Sequence, residues 1–122
     1  NADVAPMASG FQPAVLRLVH ATIGAAHDQG KWVGLCGELA GEPLAIPILL
    51  GLGLDEFSMN PPVIPLAKQI IRALTLAEAR EVAQVALELE NPDAVKALVR
   101  ERVPAVDVVG QSLSRTLQKD RG

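Results

Sequence analysis

One stretch, residues 31–43 with the sequence KWVGLCGELAGEP, limits what the chain can fold into more than any other. Its apolar first half predicts a short buried strand at 32–35, which delivers the only cysteine, Cys36, to a turn flanked by glycines. Pro43 suits the first turn of a helix, so a helix is predicted to begin there. Strand, turn and helix in this order make a βα unit, whose carboxyl edge carries functional residues in α/β barrels.

The spacing of apolar residues predicts helices that alternate with two strands. Helices are predicted at 13–28, 43–50, 64–74, 75–89 and 92–102, and the second strand at 56–59. Residues 108–117 are consistent with either a short helix or an ordered tail. Because a helix joins the two strands, the strands are expected to pair in parallel, with Cys36 and Met59 at neighbouring carboxyl ends.

Several residues mark the ends of these helices. Gly30 is predicted to end the first helix, and Gly51 and Gly53 to end the second. Thr75 and Glu78 have the spacing of a capping box, in which the hydroxyl accepts from the backbone and the glutamate reaches back toward the cap.

Composition excludes several classes of function. The net charge is −3 over 122 residues and no basic stripe is present, which argues against a nucleic-acid partner. No apolar run reaches the length of about 18 residues that a membrane span requires, and no signal peptide precedes the first helix, so no membrane insertion is expected. A lone cysteine cannot form an internal disulfide, which favours a cytoplasmic location.

Two strands are too few for a stable parallel sheet, because each strand keeps an unpaired edge. The chain is therefore expected to be a piece of a larger α/β protein, or to form a homo-oligomer. In the second case the interface is expected to be rich in Leu, Val and Ile from the helices at 13–28 and 43–50.

The segment CGELAGEP, followed by LLGLG, DEFSM, PP and IP, resembles the phosphoenolpyruvate-binding barrel of enzyme I of the bacterial sugar phosphotransferase system, in the PEP-utilising enzyme family. The resemblance implies an α/β fold, the C-terminal fragment of a TIM-type (β/α)8 barrel with about two parallel strands, followed by C-terminal helices. Residues 1–74 would be the last βα units, and 75–122 a helical extension packed on the same domain. Pyruvate phosphate dikinase and PEP synthase share the barrel, but Leu39 and Ala40 favour enzyme I.

The resemblance also implies a chemistry. Enzyme I transfers the phosphoryl group of phosphoenolpyruvate to a histidine for sugar uptake, and the cysteine that matches Cys36 is the acid that protonates enolpyruvate. Gly37 and Glu38 are implied as substrate-binding residues. From the residues alone, Cys36 also fits plain core packing, and Glu38 also fits a structural carboxylate. Asn60, at the end of the second strand, is a weaker candidate that also fits a turn residue.

Other parts of the chemistry are expected outside this chain. The resemblance implies Mg²⁺ with its ligands in other segments, the phosphocarrier protein HPr as a partner, and a homo-oligomer. His20 and His27 lie seven residues apart on the first helix without a carboxylate cluster, and are interpreted as surface or boundary residues. The chain alone is expected to be inactive. The alternative function is an inert assembly or dimerisation module.

Overall fold

Two short strands and six helices make up the part of the chain that this computed structural model describes, residues 10–36 and 39–121. In chain order they are α1 (Pro13–Asp28), β1 (Gly34–Cys36), α2 (Ile46–Gly51), β2 (Glu56–Ser58), α3 (Ile64–Arg72), α4 (Leu76–Glu88), α5 (Pro92–Arg102) and α6 (Ala105–Arg121). The described structure is therefore mostly helical with a small parallel sheet, which is consistent with a piece of an α/β domain.

The predicted helices are confirmed, with differences at their ends. The bounds of α1 and α5 agree with prediction, whereas α3 ends two residues before position 74. The segment predicted as one helix at 43–50 is a 3₁₀ turn, Pro43–Ala45, followed by α2. Pro47 explains the break, because it lacks the N–H that would bond to the carbonyl of Pro43 in a continuous α-helix.

The segment that sequence left undecided, 108–117, lies within α6 and is helical. The capping box at the start of α4 is present: the Thr75 hydroxyl accepts a hydrogen bond from the Glu78 N–H at 3.1 Å. The Glu78 carboxylate reaches back to the hydroxyl of Thr75, at 3.2 Å. The first of these bonds satisfies one of the free N–H groups of the first turn, and in the second the Thr75 hydroxyl donates to the Glu78 carboxylate.

Gly30 and Gly53 end the helices that precede the two strands. Their φ angles are +70° and +96°, values that residues with a Cβ rarely adopt. After α1, Lys31 N–H donates to the Ala26 carbonyl, and after α2, Leu54 N–H donates to the Leu49 carbonyl. Both ends have the hydrogen bonds of a Schellman motif, which turns the chain from helix into strand.

The two strands pair in parallel, as the βαβ argument predicted. The register joins Gly34 to Glu56, Leu35 to Phe57 and Cys36 to Ser58. The first strand begins two residues later than the predicted 32–35, because the pairing begins beside Val33, whose carbonyl accepts the N–H of residues 55 and 56. The prediction that the strand is buried from position 32 is wrong, since Trp32 is 69% exposed.

Helix α2 forms the centre of the core. It packs against α4, which presents the small side chains Ala79, Val82, Ala83 and Ala86 to it. Its own residues Ile46, Pro47, Ile48 and Leu49 are fully buried. The expectation that this helix supplies an oligomer interface is therefore wrong, because α4 already covers its apolar surface. Whether the chain forms a homo-oligomer is a separate prediction that this packing leaves standing.

Candidate active site

The carboxyl ends of the two strands form one edge of the sheet, and Cys36 lies on it. Cys36 is the last residue of β1 and pairs with Ser58, the last residue of β2. Met59 follows directly, so the prediction that Cys36 and Met59 come together at neighbouring carboxyl ends is confirmed. In parallel α/β sheets this edge is where ligands bind.

The two faces of the sheet differ in burial. Leu35 and Phe57 are half-buried and pack against the core, whereas the residues on either side of them in each strand are exposed. Since side chains alternate between faces along a strand, Cys36 lies on the face away from the core. The thiol is free and exposed. The interpretation of Cys36 as a packing residue of this chain's core is therefore wrong.

The turn at Leu39–Gly41 lies close to the end of the neighbouring strand β2. Gly37 and Glu38, the two predicted substrate-binding residues, lie outside the described residues. The next turn, Leu39–Gly41, is anchored by the buried Ala40, and a Cβ placed on Gly41 would lie 3.6 Å from the Cβ of Met59. The edge around Cys36 is thus bounded on one side by this turn.

Asn60 lies just past the same edge, before the 3₁₀ turn Pro61–Val63. Its main-chain carbonyl accepts from the N–H of Val63 at 2.9 Å, and its exposed side chain makes no capping hydrogen bond. These features are those of a turn residue, the interpretation that sequence favoured for it.

A hydrogen-bonded pair of side chains that sequence reasoning missed lies at the opposite, amino end of the sheet. The Oδ2 atom of Asp55 is 2.7 Å from Nε2 of His27 and 2.7 Å from the backbone N of Val33. A carboxylate only accepts, so the His27 ring donates through Nε2. Both bonds hold the pKa of Asp55 below its usual value, and the bond from His27 has the larger effect. His27 is a partly exposed structural residue, and His20 is exposed on the same helix.

No metal site is found in the described part of the chain. The described side chains include no group of three or more His, Cys, Asp and Glu placed to hold an ion. They therefore offer no set of ligands that fits Mg²⁺.

Among the described helices, none combines the length and the apolar character needed to cross a membrane.

A groove of about 700 Å³ lies elsewhere, between residues 42–44 and helices α5 and α6. Its charged side chains have both signs: Glu42 and Asp107 lie in the same lining as Arg100 and Arg115. Arg100 already pairs with Asp107, with 3.4 Å between Nε and Oδ1. The groove is lined by none of the residues at the carboxyl edge of the sheet, so it does not enlarge the candidate site around Cys36.

A family comparison identifies the part of the chain that contains this edge. The model of the family described as "PEP-utilising enzyme, PEP-binding domain" matches residues 1–76, which include both strands and Cys36. The chain therefore belongs to the PEP-utilising enzyme family, as the resemblance of its CGELAGEP segment indicated.

Three curated relatives show which members of this family the chain is similar to. The chain is 48% identical over 91 residues to the phosphoenolpyruvate-protein phosphotransferase of Staphylococcus carnosus, covering 75% of this chain and 16% of that protein. It is 46% identical over 101 residues to the protein of the same name from Bacillus subtilis, covering 83% and 18%. It is also 44% identical over 108 residues to a multiphosphoryl transfer protein of Escherichia coli O6:H1, covering 88% and 13%. The chain thus spans less than a fifth of these relatives.

Proposed function

We propose that this chain is the part of a phosphoenolpyruvate-protein phosphotransferase that protonates the enolate of pyruvate, with Cys36 as the acid. The observation that carries the proposal is the exposed Cys36 thiol at the carboxyl edge of the parallel sheet, inside the segment that the PEP-binding family model matches. The named relatives are phosphotransferases, which favours this activity over that of a dikinase or a PEP synthase.

The proposed step balances as a proton transfer. When the phosphoryl group leaves phosphoenolpyruvate for a histidine of the longer protein, the P–O bond to the enol oxygen breaks and an enolate of pyruvate remains. The Cys36 S–H bond then breaks, a C–H bond forms at the methylene carbon, and pyruvate carries the new methyl group. The thiolate regains its proton from water. The exposed position of Cys36 leaves room both for the substrate and for this water.

The exposed face of the sheet supports a place inside a larger barrel. One face of the sheet is covered by no other described element. The residues on this face are Gly34 and Cys36 of β1 and Glu56 and Ser58 of β2. Parallel sheets in α/β proteins are buried on both faces, and two strands alone are not stable. Further strands of the longer protein, continuing the sheet as in a (β/α)8 barrel, would close both the edges and this face.

The remaining parts of the proposal depend on the resemblance. Gly37 and Glu38 would bind substrate beside Cys36, and the ligands of Mg²⁺ would come from other segments of the longer protein. The phosphoryl group would pass from the histidine to the phosphocarrier protein HPr. The helices after residue 74 would form an extension on the same domain, and copies would associate into a homo-oligomer. A cytoplasmic location is consistent with the single free thiol.

The test is a reaction of the full-length natural protein with phosphoenolpyruvate, without any nucleotide. We expect pyruvate release in step with the formation of an acid-labile phosphoprotein, followed by transfer of the phosphoryl group to added HPr. A reaction that requires an adenine nucleotide would instead establish the dikinase or synthase alternative. A folded protein that forms neither pyruvate nor phosphoprotein would leave the assembly module as the better account.

A further inference from the structure

The pairing of Cys36 with Ser58 points to a second contact with the substrate. We propose that the Ser58 hydroxyl donates a hydrogen bond to an anionic oxygen of phosphoenolpyruvate, its carboxylate or its enol oxygen, while Cys36 faces the methylene carbon. This inference rests on the proposed function, because it assigns a further binding residue to the same site. It makes Ser58 a specificity residue on the strand next to the acid.

The register places the two side chains together. Cys36 and Ser58 are directly paired in the parallel sheet, and both are exposed on the face away from the core. Neighbouring strands lie about 4.8 Å apart, so side chains at paired positions on one face stand at about that spacing. A three-carbon acid seated across the edge of the sheet reaches both side chains at once.

The Ser58 hydroxyl is available to donate. Its side chain forms no hydrogen bond with any of the described residues, and the side chain is exposed. A neutral hydroxyl at this position can donate to an anion, and a hydrogen bond to a charged group is stronger than one between neutral groups.

Glu56 is the other polar side chain of β2 on this face, and it suits an anion poorly. It lies two positions before Ser58, about 6.6 Å deeper along the strand. Its carboxylate occupies the space above Gly34, where an added Cβ would lie 3.4 Å from Oε2 of Glu56. A negative charge repels the anionic substrate, so Ser58 is the donor that β2 offers at the edge.

The experiment compares Ser58→Thr with Ser58→Val in the full-length protein. The two side chains have nearly the same shape and both suit a strand, but only threonine keeps the hydroxyl. We expect Ser58→Thr to stay close to the wild type. We expect Ser58→Val to lose about tenfold in kcat/KM for phosphoenolpyruvate. If the hydroxyl donates to the carboxylate, the loss should be a rise in KM. If it donates to the enolate oxygen, the loss should be a fall in kcat.

A second measurement needs no turnover. Alkylation of Cys36 by iodoacetamide, followed by mass spectrometry of its peptide, should be slowed by phosphoenolpyruvate. The concentration that gives half protection should rise in Ser58→Val and not in Ser58→Thr. Thermal melting of both variants identifies any loss through unfolding, to which an exposed residue without side-chain partners should contribute little.

The two possible failures are distinguishable. If the wild type forms pyruvate and Cys36→Ala does not, but the threonine and valine variants of Ser58 show equal kcat/KM and equal protection, this inference is wrong and the proposed function stands. If the folded wild type does not use phosphoenolpyruvate at all, the proposed function itself is wrong.

Discussion

The carboxylate of Asp55 binds the imidazole of His27, with 2.7 Å between Oδ2 and Nε2, and thereby joins the end of α1 to the amino end of the sheet. The same oxygen accepts the N–H of Val33, just before β1. One aspartate thus connects a helix and both strands. Hydrogen bonds of the Asp55 side chain stabilise the amino end of the sheet. At the carboxyl end the thiol of Cys36 is exposed.

Replacing Asp55 with asparagine should lower the melting temperature at neutral pH, because the variant loses the charged acceptor of two hydrogen bonds. Since the folded state holds the pKa of Asp55 below its usual value, its ionised form stabilises the fold above the unfolded pKa of about 3.9. This contribution is lost as the pH falls from about 4 through the lowered pKa of the folded state. Melting curves between pH 7 and pH 3 measure it.

Asp28→Asn is the matched control for this prediction. Asp28 lies next to His27 at the end of α1, is exposed, and forms no side-chain bond with any described residue. Its melting temperature should follow the wild type over the whole pH range. If the difference in melting temperature between the wild type and Asp55→Asn is the same at pH 3 as at pH 7, the ionised carboxylate of Asp55 does not stabilise the fold.

Two glycines in helices should respond to alanine in opposite directions. At Gly51, the last residue of α2, an added Cβ would overlap the carbonyl of Ala79 and lie 2.8 Å from the Cβ of Ala83. Because backbone atoms of α4 cannot move aside as a side chain can, Gly51→Ala should destabilise the fold by at least about 1–3 kcal/mol. Denaturant unfolding measures the change.

Gly24, in the middle of α1, is the control. A Cβ there meets nothing within 4 Å, so Gly24→Ala should stabilise the fold by about 0.5–1 kcal/mol through the higher helix propensity of alanine. If Gly51→Ala left the free energy of unfolding unchanged or raised it, the close packing of α2 on α4 at Gly51 would be contradicted.

Much of the fold follows from local signals in the sequence. The apolar spacing of 13–28 predicted a helix with the observed bounds, because periodicity acts within one element. The helix at 92–102 also has the predicted bounds, and Asn91 caps it with Pro92 at its first position. The parallel pairing followed from the helix between the strands. What the sequence does not show is the contact between elements: Gly51 reads as a helix end, but it is the point where α2 touches α4.

The residues of the candidate site also differ in whether the sequence alone could predict them. Cys36 was found because an unusual residue lies in a specific motif after a strand. Ser58 and Asp55 were missed, because a serine within a strand and an aspartate before one are common, and their significance depends on the register and on a histidine 28 residues away. Only the paired strands show that Ser58 stands beside the thiol.

The Cys36→Ala variant of the full-length protein shows whether Cys36 is the acid that protonates the enolate. Alanine removes the acid and leaves the backbone of β1 unchanged. Loss of a general acid costs about 10²–10⁴-fold, so pyruvate formation from phosphoenolpyruvate should fall by that factor. Passage of the phosphoryl group between the histidine and HPr requires no carbon acid and should keep its wild-type rate.

The deciding measurement is therefore a pair of rates for Cys36→Ala: pyruvate release from phosphoenolpyruvate, and phosphoryl transfer from the protein, loaded in reverse from phosphorylated HPr, back to HPr. We expect the first rate to be nearly abolished and the second to be unchanged. Pyruvate release at the wild-type rate in this variant would contradict the assignment of Cys36 as the acid.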